Sequence, residues 1–498
     1  MVSDLYATVK QMQRMTRGQS QSRDRWSQLV ATAHGHLHSP ALPEQAVGPR
    51  LLSDIASAVG RMGDTEPLVQ ECLARVADLA KYKAELFNPN EMSWMVWGFA
   101  NLTVQNEQLM SVIAAEVVNK IESFDHRHLA NTAWAFAKCG LWNEQLVNCI
   151  ADQCLVHITT FSTQSLSQTA WAMAEWCTPN ERLMNAISEE LVKKAADLHP
   201  ASIARTAWSF SSLVLSPARL MDMLSDRAMR CIDDFNTEDF AQLSWAFANM
   251  RLADVNLFSV MASGVQRKIS GALPAELANI AWAFSKVNVS NEELMAAIAR
   301  EAAPQIQCFK AAEVAMLTWA FAVAGLHQRE LMTEIGTQVS SRIERFSPPQ
   351  LSHIAWAFGA LSLNHTDFMS TLARHLWQSF PSFKAQGLSN IAWAFAMVSF
   401  REQDLVRIFA PNIAQEVADL RPLALARCAW AYRMLDVPPP DLVAALASEA
   451  VSKLEAFPTK ALVKLIDAIY STPVAGDHSR QLREALASRT QQVADYIM

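Results

Sequence analysis

The phrase Ala281-Trp282-Ala283-Phe284, or a close variant of it, returns along nearly the whole chain at one fixed spacing. Its tryptophans are Trp97, Trp134, Trp171, Trp208, Trp245, Trp282, Trp319, Trp356, Trp393 and Trp430, each 37 residues after the one before, with no insertion or deletion. A repeat of that length is one supersecondary unit that cannot bury its apolar face alone, so the chain must fold as a stacked array. One period beyond Trp430 the flanking pattern persists in Leu465-Ile466-Asp467-Ala468-Ile469, and ahead of Trp97 it persists in Ile55-Ala56-Ser57-Ala58-Val59. Both have lost the tryptophan, as terminal units of an array do, and the count comes to about twelve repeats.

Each unit reads as two helices. In the unit from Leu273 to Phe309, helix A runs from about Ala275 to Val287 and carries Leu277, Ile280, Trp282 and Phe284 at helical spacing. A turn follows, in which Ser290 and Glu293 have the spacing of a capping box, and helix B then buries Leu294, Ile298 and Ile306. The joint between units pairs a bulky apolar residue with a cap, as in Phe124-Asp125, Phe161-Ser162, Phe235-Asn236 and Phe346-Ser347. After the last of these, Pro348, Pro349 and Gln350 supply a helix-starting proline and the residue that closes a capping box. With 51% apolar residues and only 14 glycines, helix is favoured over strand throughout. The expected fold is all-α, a right-handed α-solenoid of 37-residue helix-turn-helix repeats running uninterrupted over 46–498. Residues 1–45 form an N-terminal extension. Lys10, Arg14, Arg17, Arg23 and Arg25 among serines and glutamines give it the look of an organelle transit segment, while Asp4 and Asp24 suit a helix that caps the array.

On a helical wheel, the residues five and two before the tryptophan and two after it are large and apolar and must meet helix B. Those four and one before and three after are small, as in Ala278, Ala281 and Ser285, which lets A helices of successive units lie close together. The arc left over holds the tryptophan, the residue three before it and the residue four after it. The three-before column contains Asn131, Gln168, Arg205, Gln242, Asn279, His353, Asn390, Arg427 and Lys464, with Asp54, Trp94 and Met316 as the exceptions in kind. It changes from unit to unit while its neighbours hardly change. Positions fixed across units maintain the stack, so a variable polar column is free to read a ligand, although a merely solvated face would vary too. Asn, Gln and Arg make paired hydrogen bonds to base edges, and helical-repeat proteins read one base per unit in this way. The four-after column adds Lys138 and Lys286 as candidate phosphate contacts, but Glu175 and Val323 in the same column break any continuous basic track. The tryptophans themselves either stack on bases or pack over the alanines of the neighbouring unit. These A-helix residues are expected in one row on the concave surface.

Other chemistries are excluded by what the chain lacks. A net charge of −7 tells against indiscriminate binding of nucleic acid, and no DNA partner is expected. The eight cysteines show no Cys-x-x-Cys and no histidine at zinc-ligand spacing, so they read as small buried apolar side chains in a reducing compartment. There is no apolar run of membrane-spanning length, no Gly-rich phosphate loop, no nucleophile elbow and no paired histidine at metal spacing. No catalytic residue, metal or cofactor is expected, and the chain does not read as an enzyme.

Leu277-Ala278-Asn279-Ile280-Ala281-Trp282-Ala283-Phe284 and Leu351-Ser352-His353-Ile354-Ala355-Trp356-Ala357-Phe358 resemble the octotricopeptide repeats of algal organelle factors. The period of 37 is more similar to the heptatricopeptide repeats of apicomplexan and dinoflagellate organelle proteins, which are related to the helical region of FAST-kinase-like proteins. The resemblance covers about residues 46 to 498. It implies RNA binding in a mitochondrion or plastid, in processing, stabilisation or translation of transcripts or within organelle ribosomes. Together with the variable column, the expectation is sequence-selective binding of single-stranded RNA, with ribonucleoprotein or ribosomal subunits as candidate partners. Many such proteins end in a nuclease-like RAP domain, which this sequence does not show after its final unit. The competing reading is a protein-binding scaffold solenoid, cytoplasmic as readily as organellar, which the acidic balance also suits. Salt separates the two, because binding through several phosphates weakens steeply as salt rises.

Overall fold

The computed structural model describes residues 2–16, 23–40, 43–64, 66–104, 106–289, 291–436, 439–470, 480–481 and 484. Among the described residues there are twenty-five α-helices and no strand. The chain divides into two compact units, Met1–Met250 and Arg251–Met498. From α3 onward the odd-numbered helices are the A helices and the even-numbered ones the B helices.

In the first unit the pairs are α3 (Pro49–Met62) with α4 (Pro67–Lys81), α5 (Pro89–Asn101) with α6 (Glu107–Asn119), α7 (His126–Lys138) with α8 (Glu144–His157), α9 (Thr163–Glu175) with α10 (Glu181–Lys193), and α11 (Pro200–Ser212) with α12 (Ala218–Arg230). The A helix α13 (Thr237–Asn249) closes that unit. Ahead of them α1 (Val2–Met15) packs on α3 and α2 (Arg23–Leu37) on α4, burying Leu5, Val9, Trp26 and Val30. Lys10, Arg14, Arg23 and Arg25 point to solvent from this pair, and Arg17 lies outside the described residues.

The second unit opens on the B helix α14 (Val255–Lys268) and continues with α15 (Pro274–Lys286) and α16 (Glu292–Ala302), α17 (Ala311–Ala324) and α18 (Arg329–Ser341), α19 (Pro348–Ala360) and α20 (Thr366–Ser379), α21 (Ala385–Met397) and α22 (Gln403–Gln415), and α23 (Pro422–Met434) and α24 (Pro440–Ser452). It ends in the A helix α25 (Thr459–Tyr470), and the B helix expected after it falls outside the described residues.

Within each unit the A helices pack far more closely on one another than the B helices do, so each stack is tighter on its A side. The small positions make this possible. A Cβ added at Gly98, the residue after Trp97, would fall 2.3 Å from the carbonyl oxygen of Ala56, so α3 and α5 meet backbone to backbone. Ala278, Ala281 and Ser285 are likewise buried, and the Ser285 hydroxyl donates to the carbonyl of Ala320 on the next A helix at 2.9 Å. The apolar arc, Leu277, Ile280 and Phe284 in that repeat, is buried against helix B.

The helix ends differ from expectation by one residue. Ser290 lies outside the described residues, and the cap of α16 is Asn291, whose side chain accepts from the Leu294 amide at 2.8 Å. Asn106, Asn143 and Asn180 do the same for their B helices, always nine residues after the tryptophan. Helix α15 starts at Pro274, and Ile306, buried as expected, stands on the 3-10 turn Ala303–Cys308 rather than on helix B. At the A-helix starts, Asn88 and Glu91 form a reciprocal capping box, and Gln350 accepts from the Ser347 amide at 2.8 Å.

Two periodic devices were not anticipated. Six residues after the tryptophan position the backbone is left-handed in every described repeat, at Gly63, Thr103, Gly140, Cys177, Val214, Arg251, Asn288, Gly325, Ser362, Ser399 and Asp436. That reversal ends helix A and aims the chain at helix B. The second device sits at the end of helix B, where a cation reaches back to the closing 3-10 turn of the preceding repeat. Lys120 donates to the carbonyls of Glu85 and Phe87 at 2.6 and 3.2 Å, and Lys194 to those of Thr159 and Phe161 at 2.7 Å each. In the second unit Arg342 donates to the carbonyls of Gln307 and Phe309, and Lys453 to those of Ala418 and Leu420. Carbonyls that no helix satisfies are thereby closed by charge-assisted hydrogen bonds.

None of the eight cysteines is paired with another. Cys72, Cys139, Cys154 and Cys428 are buried as expected, and burial pushes the Cys72 thiol up to about 12. Cys177 and Cys308 are exposed, against expectation, because one occupies the left-handed turn and the other a closing 3-10 turn.

Candidate nucleic-acid interface

The A helices carry the variable column on the side away from helix B, and none of its nine polar members is buried. In the first unit Asn131, Gln168, Arg205 and Gln242 are half-buried. Asn131 and Gln168 make no side-chain hydrogen bond among the described residues, whereas Gln242 donates to Glu238 at 3.0 Å. Burial holds the Arg205 guanidinium below its ordinary range, opposed by the nearby carboxylates of Glu238 and Asp239, so part of its charge is already answered. In the second unit Asn279, Asn390 and Arg427 are half-buried, and His353 and Lys464 are exposed.

The tryptophans are half-buried, and five of them make ring contacts with the tryptophan of an adjacent repeat. Ring centroids lie 6.4 Å apart for Trp97 and Trp134, 6.3 Å for Trp134 and Trp171, and 6.4 Å for Trp356 and Trp393. Two short runs of neighbouring rings, Trp97 to Trp171 and Trp356 with Trp393, therefore border the polar column. The candidate phosphate contacts Lys138 and Lys286 are exposed but lie over the indoles of their own repeats, 5.5 Å from the Trp134 centroid and 5.8 Å from that of Trp282. Such cation–π contacts fix the ammonium while leaving its donors free.

Three of the column residues, His353 on α19, Asn390 on α21 and Arg427 on α23, come together in a cavity of about 340 Å³. Trp319, Trp356, Gln386 and Arg421 complete its polar and aromatic lining, which includes no carboxylate. Gln386 donates to the Asn390 side-chain oxygen at 3.1 Å, and the Arg427 guanidinium lies 5.5 Å from the Trp356 ring centroid and 5.1 Å from that of Trp393. Although His353 is exposed at its edge, partial desolvation and the Arg421 charge push it below its ordinary range, which favours the neutral imidazole with one donor and one acceptor. The same two causes hold Arg427 below its ordinary range. A smaller cavity of about 190 Å³ continues along the face and takes in Lys464, Trp393 and Trp430. Gln386 and Arg421 were missed from sequence. Gln386 stands one turn before Asn390 on the same helix face, a spacing that could have found it, while Arg421 precedes Pro422 at the helix start and reaches the site only through the offset between neighbouring helices.

In the first unit a cavity of about 320 Å³ lies at the start of the array, with Gln13 of α1 facing Arg50, Asp54, Arg61 and Trp94. Among the described residues no cluster could hold a metal ion, and no helix is long and apolar enough to cross a membrane.

The family model for the RNA-editing substrate-binding complex 6 protein matches residues 50–270 and 273–497. The chain belongs to that family. The two matched stretches meet between α14 and α15, at a repeat boundary. It is thus a helical-repeat protein of a family named for RNA editing. No curated protein matches the chain. Among other structures, a homology model of the full-length AP-3 complex is 13% identical, with 96% of this chain and 89% of that one covered and a TM-score of 0.31. The karyopherin Kap121p bound to the SUMO protease Ulp1p is 13% identical over 98% of this chain and 55% of its own, with a TM-score of 0.28. A circular tandem repeat protein is 11% identical over 99% and 100%, with a TM-score of 0.16. None superposes closely enough to carry an argument.

Proposed function

We propose that the chain binds single-stranded RNA along its A-helix face, with sequence preference, as a subunit of an RNA-editing complex in the mitochondrion. The observation that carries this reading is the unburied polar column, in which Asn131, Gln168 and Asn279 have side chains with no hydrogen-bond partner among the described residues. Amides free on a fixed scaffold suit base edges, while Arg427 and Lys464 suit phosphates. The net charge of −7 makes phosphate attraction weak overall, so selectivity rests on base contacts. On this reading the chain supplies binding and leaves chemistry to other subunits. The family's name favours an editing complex over a ribosome and a mitochondrion over a plastid, and the 37-residue period is the ground for kinship with heptatricopeptide proteins.

The scaffold reading keeps a place away from the column, where Trp142 in the turn between α7 and α8 is 59% exposed and Trp377 on the B helix α20 47%. Half-exposed indoles of this kind are suited to protein neighbours. The test is the double variant Asn279→Ala with Asn390→Ala, assayed against a pool of RNA sequences. It should change preference at two separated nucleotides by about 1–3 kcal/mol each, with helicity and melting unchanged. Should it bind every RNA as the parent does, or the parent bind none at moderate salt, the scaffold becomes the better account.

A further inference from the structure

We infer that the cavity walled by α17, α19, α21 and α23 is a discrete pocket for one nucleotide of an RNA strand, its base laid on Trp319, its edge read by Asn390 and Gln386, and its phosphate held by Arg421 and Arg427. The inference rests on the RNA-binding reading, but narrows it to one site and one ligand class.

Charge is the first argument. Arg421 and Arg427 share the cavity, no carboxylate lines it, and neither guanidinium has a hydrogen bond or ion pair among the described residues. Two such groups held together, one of them half-buried, call for an anion. Arg427 is held in place by the Trp356 and Trp393 rings, so its fork of N–H donors is ordered in advance for phosphate oxygens. The cavity at the start of the first unit shows the contrast. It is of similar size, about 320 Å³, but Asp54 and Glu91 line it together with Arg50 and Arg61, so its charge is not of one sign.

The second argument is the aromatic surface. Trp356 stacks on Trp393, whereas Trp319 lines the cavity half-buried and makes no ring contact among the described residues, so its indole is available to a ligand there. Every base has a π-face that such a ring can take. The third is the amide pair. With the Asn390 oxygen engaged by Gln386, the Asn390 NH₂ and the Gln386 carbonyl remain as a donor and an acceptor one helical turn apart, which complements a base edge. A volume of about 340 Å³ suits one nucleotide, not a strand.

The test uses the full chain with AMP, CMP, GMP, UMP and inorganic phosphate as calorimetric probes, and a labelled mixed-sequence RNA oligonucleotide in an anisotropy assay over a range of salt. At least one nucleoside monophosphate should bind with one-to-one stoichiometry, distinctly from the others, and more tightly than inorganic phosphate. Trp319→Leu should weaken it by roughly 5- to 150-fold. Arg421→Gln with Arg427→Gln should lower the slope of log affinity against log salt by about 0.7 for each phosphate that the variant no longer neutralises. If the double variant melts early, Arg421→Gln alone decides, because that side chain has no partner to lose. RNA binding by the parent that none of these variants alters would overturn the pocket and leave the wider reading standing. Nucleotide binding without RNA binding would do the reverse, and inorganic phosphate bound as tightly as every nucleotide would overturn the assignment of the base.

Discussion

Val214 occupies a backbone conformation that β-branched residues avoid, with φ at 59° and a side chain 88% exposed. The left-handed region costs a non-glycine residue roughly 1–2 kcal/mol, and here nothing packs against the side chain to return it. Val214→Gly should therefore raise stability by about 1 kcal/mol, after allowing for the freedom glycine adds to the unfolded chain, as read from urea unfolding. A variant less stable than the parent would show that the turn is not strained. This position also marks where single residues stop being legible. The column of Asn131, Gln168 and Asn279 could be seen in the sequence because it varies among constant neighbours. The left-handed turn could not, because glycine fills it only at Gly63, Gly140 and Gly325, and elsewhere packing of the two helices forces the conformation on whatever residue is present.

Between elements, the lysine clasp sets how one repeat is fastened to the one before. Lys194→Met would remove two charge-assisted hydrogen bonds and strip the buried Glu190 carboxylate of one of its two ammonium partners, a loss of about 2 kcal/mol. Lys194→Arg should keep most of the stability, since Arg342 makes the same closure in its own repeat. Hydrogen bonding from Lys194, aided by Lys193, holds the Glu190 carboxyl below its ordinary 4.5. A lowered acid stabilises the fold above its unfolded value, and that contribution is lost as the pH falls through the folded one. The deficit of Lys194→Met should accordingly be full at neutral pH and shrink below 4.5, and a deficit independent of pH would separate the clasp from this carboxylate. The pairing of helices was plain from periodicity, but this joint was hidden. The column holds Lys83, Lys120, His157, Lys194, Cys231, Lys268, Gln305, Arg342, Ser379, Glu416 and Lys453, so residue type does not announce it, and Cys231 and Ser379 bond within their own helices instead. Gln305 donates to the carbonyl of Ala272, while Glu416 accepts from the amide of Ala385.

For the molecule as a whole, a stack in which each repeat touches only its neighbours should suffer damage locally. Phe136 is buried, and Phe136→Ala should cost about 3–5 kcal/mol. Hydrogen exchange should rise across α7 to α10 and stay at the parent's level in α19 to α24, and a uniform rise over both units would refute nearest-neighbour behaviour. The repeat count was legible at this scale because the period never slips. What the packing of neighbouring helices adds was not, because the period carries no information about it. The cavity around Arg427 belongs to the same class of feature, a product of four helices set side by side. The clasp also has a direction: each cation closes the turn of the repeat that precedes it, never the one that follows. In a chain leaving the ribosome N-terminus first, a turn closed in this way thus stays unsealed until the following repeat has emerged, so that at these joints the order of synthesis is also the order of locking.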